Sequence, residues 1–186
     1  IVKPRELLQA GVKGEVIRYA LLTAHYRAPL DWNDALIERS QKSLDRLYGV
    51  LRRTSGAEAV EVQPPASVLE ALKDDLNTPK ALAALFELAG RVNKAGDAAT
   101  QAQARAELVA GAELAGLLQA DPDAWFGLDA IPRAERAEID RLVAERAEAR
   151  AAKDFTRADQ LRETIAEKGV TVEDGPEGST WRPKAA

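Results

Sequence analysis

The sequence predicts a mainly α-helical protein: a helical bundle followed by a small helix-helix-β-hairpin domain. Its apolar residues are largely Ala and Leu, and aromatic residues make up only 5% of the chain, a composition that favours helices over sheet. Apolar residues also recur at the three- and four-residue spacing of a helix face through most of the chain. Only residues 170–182 contain short strand-like segments around a Gly-Pro turn, which indicates one hairpin.

Three helices are predicted at the start of the chain. The first is short, because Pro4 suits a first helical position and Gly11 suits a stop. The second is apolar around much of its circumference and should lie deep in the bundle. Pro29 ends that segment, and Asn33 or Asp34 can cap the third helix. The predicted ranges are 4–10, 14–26 and about 34–53.

The middle of the chain contains a short helix, a break and two longer helices. The break falls at Leu76 and Asn77, after which Thr78 is the predicted N-cap and Pro79 the first helical residue. The helix that starts there should reach about residue 94, and the next should span roughly residues 98–118. The adjacent carboxylates in DDLNTP are interpreted as charges at a helix junction rather than as an acid–base pair.

Periodicity lapses over residues 119–133, where Pro122, Gly127 and Pro132 interrupt the pattern. This lapse predicts a domain boundary, with residues 1–120 in one domain, residues 121–186 in a second, and a loose connection between them. The second domain should hold a charged helix over residues 134–152 and another from Asp154, closed by Gly169. VTVE and STWR then form the hairpin.

The composition excludes several kinds of reaction centre. Cysteine is absent and His25 is the one histidine, which rules out thiolate chemistry and disfavours a His-rich metal site or a Ser-His-Asp triad. His25 is interpreted as a structural histidine, and no phosphate loop, dinucleotide fingerprint or zinc spacing occurs. We therefore expect no catalytic residue and no metal ligand in this sequence.

The sequence also lacks targeting signals. No apolar run approaches the length of a membrane span, and the first residues do not resemble a signal peptide, so we expect a cytoplasmic protein with no membrane partner. The chain begins without Met and in mid-pattern, and it is interpreted as a piece of a longer protein. The net charge of −4 disfavours unspecific polyanion binding but leaves a local nucleic-acid site open.

One helix face carries groups suited to nucleic-acid bases. Phe155, Asp159 and Arg162 step by four and three residues, which places them on one side of their helix, and Arg150 can converge on that side from the preceding helix. Aspartate and arginine pair with base edges, and an aromatic ring stacks on an unpaired base. From spacing alone, however, a helix surface with an internal salt bridge is the favoured interpretation.

The end of the chain changes that balance. ARAAKDFTRADQLRETIAEKGVTVEDGPEGSTWR resembles the C-terminal anticodon-binding domain of bacterial cysteinyl-tRNA synthetases. Upstream, EVIRYALLTAHYRAPLDW and DDLNTPKALAALFELA resemble the helical domain that precedes it in that family. The resemblance covers nearly the whole chain in the right order and implies a cysteine-specific tRNA as partner, with the bundle lying against the inner corner of the tRNA.

The resemblance also implies roles for individual residues. The family's K-D-[WF]-x-x-A-D-x-x-R pattern and its hairpin motif E-D-G-P-x-G-T-x-W-R both occur, with Phe155 where many members have Trp and Ser179 where Thr is usual. The implied anticodon-binding residues are Arg150, Phe155, Asp159, Arg162, Asp174 and Trp181, with the two aromatics stacking on bases. The residues expected to contact the tRNA backbone are Arg27, Lys153 and Arg182.

The family's catalytic chemistry lies elsewhere. It resides in a Rossmann-type domain with a zinc ion, an ATP site and HIGH and KMSKS signatures, none of which this sequence contains. The resemblance therefore implies an ATP-dependent cysteine–tRNA ligase as the parent protein, expected to be monomeric, and an isolated chain without activity. Two alternatives stay open: a helical protein-interaction module, and part of a related ligase that joins cysteine to an amino-sugar. The intact GPEGSTWR hairpin disfavours the second alternative.

Overall fold

The computed structural model describes residues 3–129, 131–175 and 178–184. Within these residues the chain is mostly helical and contains one two-stranded antiparallel hairpin near its C-terminal end, which confirms the predicted fold class. It divides into two compact units, residues 1–119 and residues 120–186. The predicted Gly-Pro turn includes Pro176, which lies outside the described residues.

The N-terminal unit is built from helices that pack around a largely aliphatic core. Large side chains that are almost completely buried include Leu44, Tyr48, Leu85 and Leu108. No described helix is both long enough and apolar enough to cross a bilayer. The helices are α1 (Pro4–Gln9), α2 (Gly14–Leu22), α3 (Asp34–Arg53), α4 (Ala66–Lys73), α5 (Thr78–Lys94) and α6 (Ala98–Glu113).

Side-chain caps start the longer helices of this unit. Asn33 caps α3 by accepting from the Leu36 amide at 2.9 Å, as one of the two predicted alternatives required. The predicted cap of α5 was wrong by one residue: Asn77, not Thr78, accepts the amide of Lys80 at 3.2 Å. Thr78 already belongs to the helix, so its hydroxyl is directed elsewhere and donates to the Ala24 carbonyl at 3.4 Å.

Two helices are shorter than their apolar patterns predicted. α2 ends at Leu22 rather than near Tyr26, where the Thr23 amide and hydroxyl both donate to the Ala20 carbonyl, at 3.3 and 2.6 Å, and tighten the last turn to three-residue bonding. α6 ends at Glu113 rather than near residue 118, because Gly116 just beyond that end has a φ of +65°. A left-handed residue cannot continue an α-helix, so the apolar period persists there without a helix.

The C-terminal unit contains α7 (Pro122–Trp125), α8 (Arg133–Ala151), α9 (Phe155–Glu167), β1 (Val170–Gly175) and β2 (Gly178–Pro183). The short helix α7 was not predicted. It lies in the segment interpreted as a loose connection, yet Trp125, Phe126 and Leu128 are buried. This segment therefore supplies core to the C-terminal unit, and its irregular period reflects a single helical turn capped by Asp121.

The hairpin follows directly after α9. Gly169, with a φ of +74°, ends the helix as predicted, because glycine takes a left-handed conformation without steric cost. In the antiparallel register Val172 lies opposite Trp181 and Asp174 opposite Ser179. Since side chains alternate across a strand, Asp174 and Val172 project from the same face of the hairpin.

Candidate nucleic-acid interface

A tight turn connects the two helices that carry most of the predicted site. Lys153 adopts a φ of +60° within this turn, and its amide donates to the Arg150 carbonyl at 3.0 Å. The carboxylate of Asp154 then caps α9 by accepting the Arg157 amide at 3.0 Å. The end of α8 and the start of α9 therefore lie side by side, with Arg150 on one and Phe155 on the other.

The helix α9 has one buried and one exposed face. Its buried residues follow a three- and four-residue spacing and are Ala158, Leu161 and Ile165. On the exposed side, the Phe155 residue is 64% accessible, and the side chains of Asp159 and Arg162 are 67% and 64% accessible. The Arg162 guanidinium lies 3.5 Å from the Asp159 carboxylate, an exposed ion pair of the kind that contributes little to stability.

Asp174, on β1, is the centre of a charged cluster that connects the hairpin to α8. Arg146 donates from Nη1 to Oδ1 at 3.0 Å and from Nη2 to Oδ2 at 3.1 Å, a two-pronged ion pair. Arg150 donates to Oδ2, and the hydroxyl of Ser179 donates to Oδ1 at 2.7 Å. The carboxylate is thus held from both α8 and the opposite strand.

These donors lower the pKa of Asp174 to about 2, from its ordinary value of 3.8. The hydrogen bond from Arg146 is the main cause, while the hydrogen bond from Ser179 and the charges of Arg146 and Arg150 add to it. Partial burial opposes the shift but does not cancel it. Asp174 is therefore a fixed negative charge at any physiological pH.

The position of Trp181 differs from the one that its predicted stacking role requires. Its ring is only 1% exposed, so it offers no open face to a base, and its indole Nε1 donates to the Asp140 carboxylate at 2.6 Å. A buried indole with a satisfied N–H is typical of a core residue. In this structure Trp181 fixes the hairpin to α8.

The two predicted backbone contacts of this unit also differ from each other. Lys153 is exposed on the turn before α9, where its ammonium group can reach a phosphate. Arg182 is partly buried, with Nη2 3.1 Å from the Glu173 carboxylate and its guanidinium 5.6 Å from the centre of the Phe126 ring. Arg182 therefore also has a structural role within the unit.

Comparisons with known protein families match both units. Residues 67–119, which include α5, α6 and all but the first residue of α4, match the DALR domain. Residues 134–182 match the cysteinyl-tRNA ligase anticodon binding domain. The two matches follow one another in this order along the chain. The segment that matches the anticodon binding domain includes every predicted site residue except Arg27.

Individual relatives agree with the domain matches. The chain is 57% identical over 169 residues to a cysteine–tRNA ligase of Maricaulis maris, an alignment that covers 91% of the chain and 37% of the relative. It is 50% identical over 188 residues to that of Caulobacter vibrioides, covering 99% and 40%. It is also 50% identical over 178 residues to that of Parvibaculum lavamentivorans, covering 94% and 38%. The chain thus spans about two fifths of the length of these relatives.

Arg27 lies in the N-terminal unit, before the matched DALR residues. Its Nε lies 2.7 Å from the Tyr26 hydroxyl and 3.4 Å from the Asp75 carboxylate. The Nε2 of His25 donates to the Asp75 carbonyl at 2.9 Å, so His25 and Arg27 both attach to the DDLNTP segment. Asp74 lies 3.7 Å from the ammonium group of Lys80, in line with a charged helix junction.

Sequence reasoning missed Arg146 and the hydroxyl of Ser179 in the C-terminal unit. Arg146 precedes Arg150 by one helical turn, so the four-residue spacing was a usable signal. The spacing could not indicate that both arginines meet the same carboxylate, because Asp174 lies on a strand 28 residues from Arg146. For Ser179, the cross-strand pairing with Asp174 was implicit in the hairpin register.

The arrangement is suited to recognition rather than to bond making. Arg150 and Arg162 offer donors, Asp159 offers acceptors, and Phe155 offers an aromatic face, all on exposed parts of α8 and α9. Among the described residues, no group of three or more His, Asp or Glu side chains could hold a metal ion. The exposed groups match the donor, acceptor and stacking needs of unpaired bases.

Proposed function

We propose that this chain is the tRNA-recognition part of a cysteine–tRNA ligase. One observation carries the proposal: the segment that matches the anticodon binding domain presents exposed polar and aromatic groups near the turn that connects α8 and α9. These groups belong to Arg150, Phe155, Asp159 and Arg162. We assign residues 121–186 to anticodon recognition. We assign residues 1–120 to the helical domain that contacts the inner corner of the tRNA.

The exposed groups divide the work of reading an anticodon. Its bases are unstacked and offer their Watson–Crick edges, to which the two arginines donate and from whose amino groups Asp159 accepts. Phe155 stacks on a base and contributes affinity with little base preference. Lys153 contacts phosphate and sets the register of the strand, a role that Arg182 can share only in part because of its contacts within the unit.

In this proposal the ligation itself takes place in a separate catalytic domain. That domain binds ATP and zinc and joins cysteine to its tRNA, while this chain alone binds tRNA without catalysing the reaction. A monomeric parent protein remains a prediction from the resemblance, and a cytoplasmic location remains a prediction from the sequence.

The anticodon-binding match supports tRNA over the two alternative partners. A ligase that joins cysteine to an amino-sugar has no use for an anticodon-reading surface. The match runs over residues 134–182, which span nearly all of α8, α9 and the hairpin, including the hairpin that such a ligase does not need. The buried centre of a protein–protein interface is depleted in charged residues, whereas three of the four exposed groups named above are charged.

The test is a titration of the chain with cysteine tRNA and with tRNAs in which one anticodon base at a time is replaced. We expect tighter binding to the unaltered tRNA, because each lost polar base contact costs about 1–3 kcal/mol. Equal affinity for all of these tRNAs would contradict anticodon reading.

Two substitutions of Phe155 sharpen this test. Phe155→Ala should weaken binding to all of the tRNAs by about 1–3 kcal/mol, because a stacking face is lost. Phe155→Trp keeps an aromatic face at an exposed position and serves as the matched control, with affinity at least equal to that of the unaltered chain. If Phe155→Ala binds as tightly as Phe155→Trp, the aromatic ring is not in the interface.

A further inference from the structure

The Asp174 cluster contains two arginines in unlike positions. Arg146 is only 12% exposed and gives both ends of its guanidinium to Asp174, at 3.0 and 3.1 Å. Arg150, one helical turn later, is 50% exposed and gives Nη1 to the same carboxylate. One arginine is thus enclosed and doubly bonded, while the other is half open to solvent.

The acceptor capacity of Asp174 is fully used in this arrangement. An ionised carboxylate has about four lone-pair positions, two on each oxygen. Oδ1 accepts from Arg146 and Ser179, and Oδ2 accepts from Arg146 and Arg150. A base could bond to this carboxylate only by displacing one of these donors, and the charged ones are the most costly to displace.

Arg150 has N–H groups that its contact with Asp174 does not use. A guanidinium has five N–H groups, and the contact with Asp174 uses Nη1. Because the ion pair fixes one side of the planar group, the remaining N–H groups point in directions that Asp174 and Arg146 determine together. A planar fork held in this way loses less rotamer entropy when it binds a base edge.

We propose that Arg146 is a positioning residue: with Asp174 it fixes the guanidinium of Arg150 for reading one anticodon base, and Asp174 does not itself read a base. This inference rests on the proposed function and changes the role expected for Asp174. It also explains a polar residue at position 179, because either serine or threonine supplies the hydroxyl that completes the cluster.

The test uses Arg146→Gln, Asp174→Asn and Arg150→Ala in this chain, alone and in pairs, with cysteine tRNA and its single-base anticodon variants. Arg146→Gln should reduce discrimination at one anticodon base by about 5- to 150-fold, and Arg150→Ala should do so at the same base. Combining Arg146→Gln or Asp174→Asn with Arg150→Ala should add little, since residues that act through one another are not additive.

The matched control is Arg141→Gln. Arg141 is an exposed arginine on α8 that pairs with Glu145 at 3.2 Å, outside the Asp174 cluster. This substitution removes the same charge from the same helix and should leave base discrimination unchanged. An equal loss of discrimination in Arg141→Gln would show that only net charge matters and would overturn the inference.

A readout without tRNA tests the cluster itself. The titration of the Asp174 carboxyl group can be followed by NMR through the chemical shift of its carboxyl carbon. The pKa of Asp174 should be higher in Arg146→Gln than in the unaltered chain, because the main cause of its lowering is removed. An unchanged pKa would overturn the inference. Circular dichroism checks the folding of each variant, and Asp174→Asn keeps the test decisive if Arg146→Gln does not fold.

The results separate this inference from the proposed function. If the unaltered chain shows no anticodon preference, both fail. If the unaltered chain prefers the unaltered tRNA but Arg146→Gln weakens the binding of all of the tRNAs equally, only the positioning role fails. The positioning role also fails if Asp174→Asn changes discrimination at a base other than the one that Arg150→Ala affects, since Asp174 would then read a base directly.

Discussion

Residues of similar type lie in opposite environments on the exposed face of α9 and on the hairpin that follows it. Each contains an aromatic residue and a carboxylate that the family pattern connects with the anticodon. On α9, Phe155 and Asp159 are about two-thirds exposed. On the hairpin, Trp181 is buried and Asp174 accepts four hydrogen bonds. The α9 residues are therefore open to a ligand, whereas the hairpin residues of the same types are already buried or hydrogen-bonded within the protein.

This difference indicates a division of labour within the unit. A group that already spends its hydrogen bonds or its ring faces on the protein cannot offer them to a ligand without a cost in folding energy. The hairpin groups stabilise the unit and fix α8, whereas the α9 groups can bind a base at little cost. Substitutions in the hairpin should therefore affect folding, and substitutions on α9 should affect recognition.

The largest effect is expected for Trp181→Ala. Removing a fully buried indole leaves a cavity and deletes the hydrogen bond to Asp140, and buried aromatic truncations of this kind cost about 3–5 kcal/mol of unfolding free energy. Urea unfolding followed by circular dichroism measures the loss. Phe155→Ala is the matched control on α9 and should change the unfolding free energy by no more than about 0.5 kcal/mol. Similar losses in the two variants would break the proposed division.

Asp159→Ala should show the opposite behaviour, with a loss in recognition and none in stability. We expect reduced discrimination at a single anticodon base, by about 1–3 kcal/mol, because one acceptor for a base amino group is lost. Tests of Asp159→Ala with single-base anticodon variants in the binding titration would measure this. Glu163→Ala removes a negative charge one turn further along α9 and serves as the control. If both variants discriminate as the unaltered chain does, Asp159 does not read a base.

The sequence was sufficient for the repetitive parts of this structure and insufficient for its long-range contacts. Helical spacing predicted the buried and exposed faces of α9 because that pattern is local. The burial of Trp181 depends on its contact with α8, 41 residues away at Asp140, and no local pattern contains that information. The same holds for α7, since a single turn is too short to show a period.

Acid should weaken the hairpin cluster, and only in a defined range. The pKa of Asp174 is about 2 in the folded chain, below the value of about 3.9 expected when unfolded. Its contribution to stability is therefore complete above about pH 5 and is lost as the pH falls from there through about 2. Between pH 5 and 8 it stays constant. Urea unfolding between pH 2 and 5 should show a smaller loss of unfolding free energy on acidification for Arg146→Gln than for the unaltered chain. Equal losses would exclude Arg146 as the main cause of the lowered pKa of Asp174.

The smallest effect is expected at Arg27, in the N-terminal unit. Its exposed contacts with Tyr26 and Asp75 contribute little to stability, so Arg27→Ala should change the unfolding free energy by about 0.5 kcal/mol or less. A phosphate contact carries no sequence information. The substitution should therefore weaken the binding of all of the tRNAs equally. It should also reduce the slope of log affinity against log salt concentration by about 1.

A lysine on α3 provides the control for that measurement. Lys42 is also exposed and pairs with Glu38 at 2.6 Å, so Lys42→Gln removes one positive charge from the same unit without touching the Arg27 contacts. If both variants lower the salt slope equally, net charge rather than a local phosphate contact explains the effect. If Arg27→Ala instead changes the preference among anticodons, the assignment of Arg27 to a backbone contact is wrong.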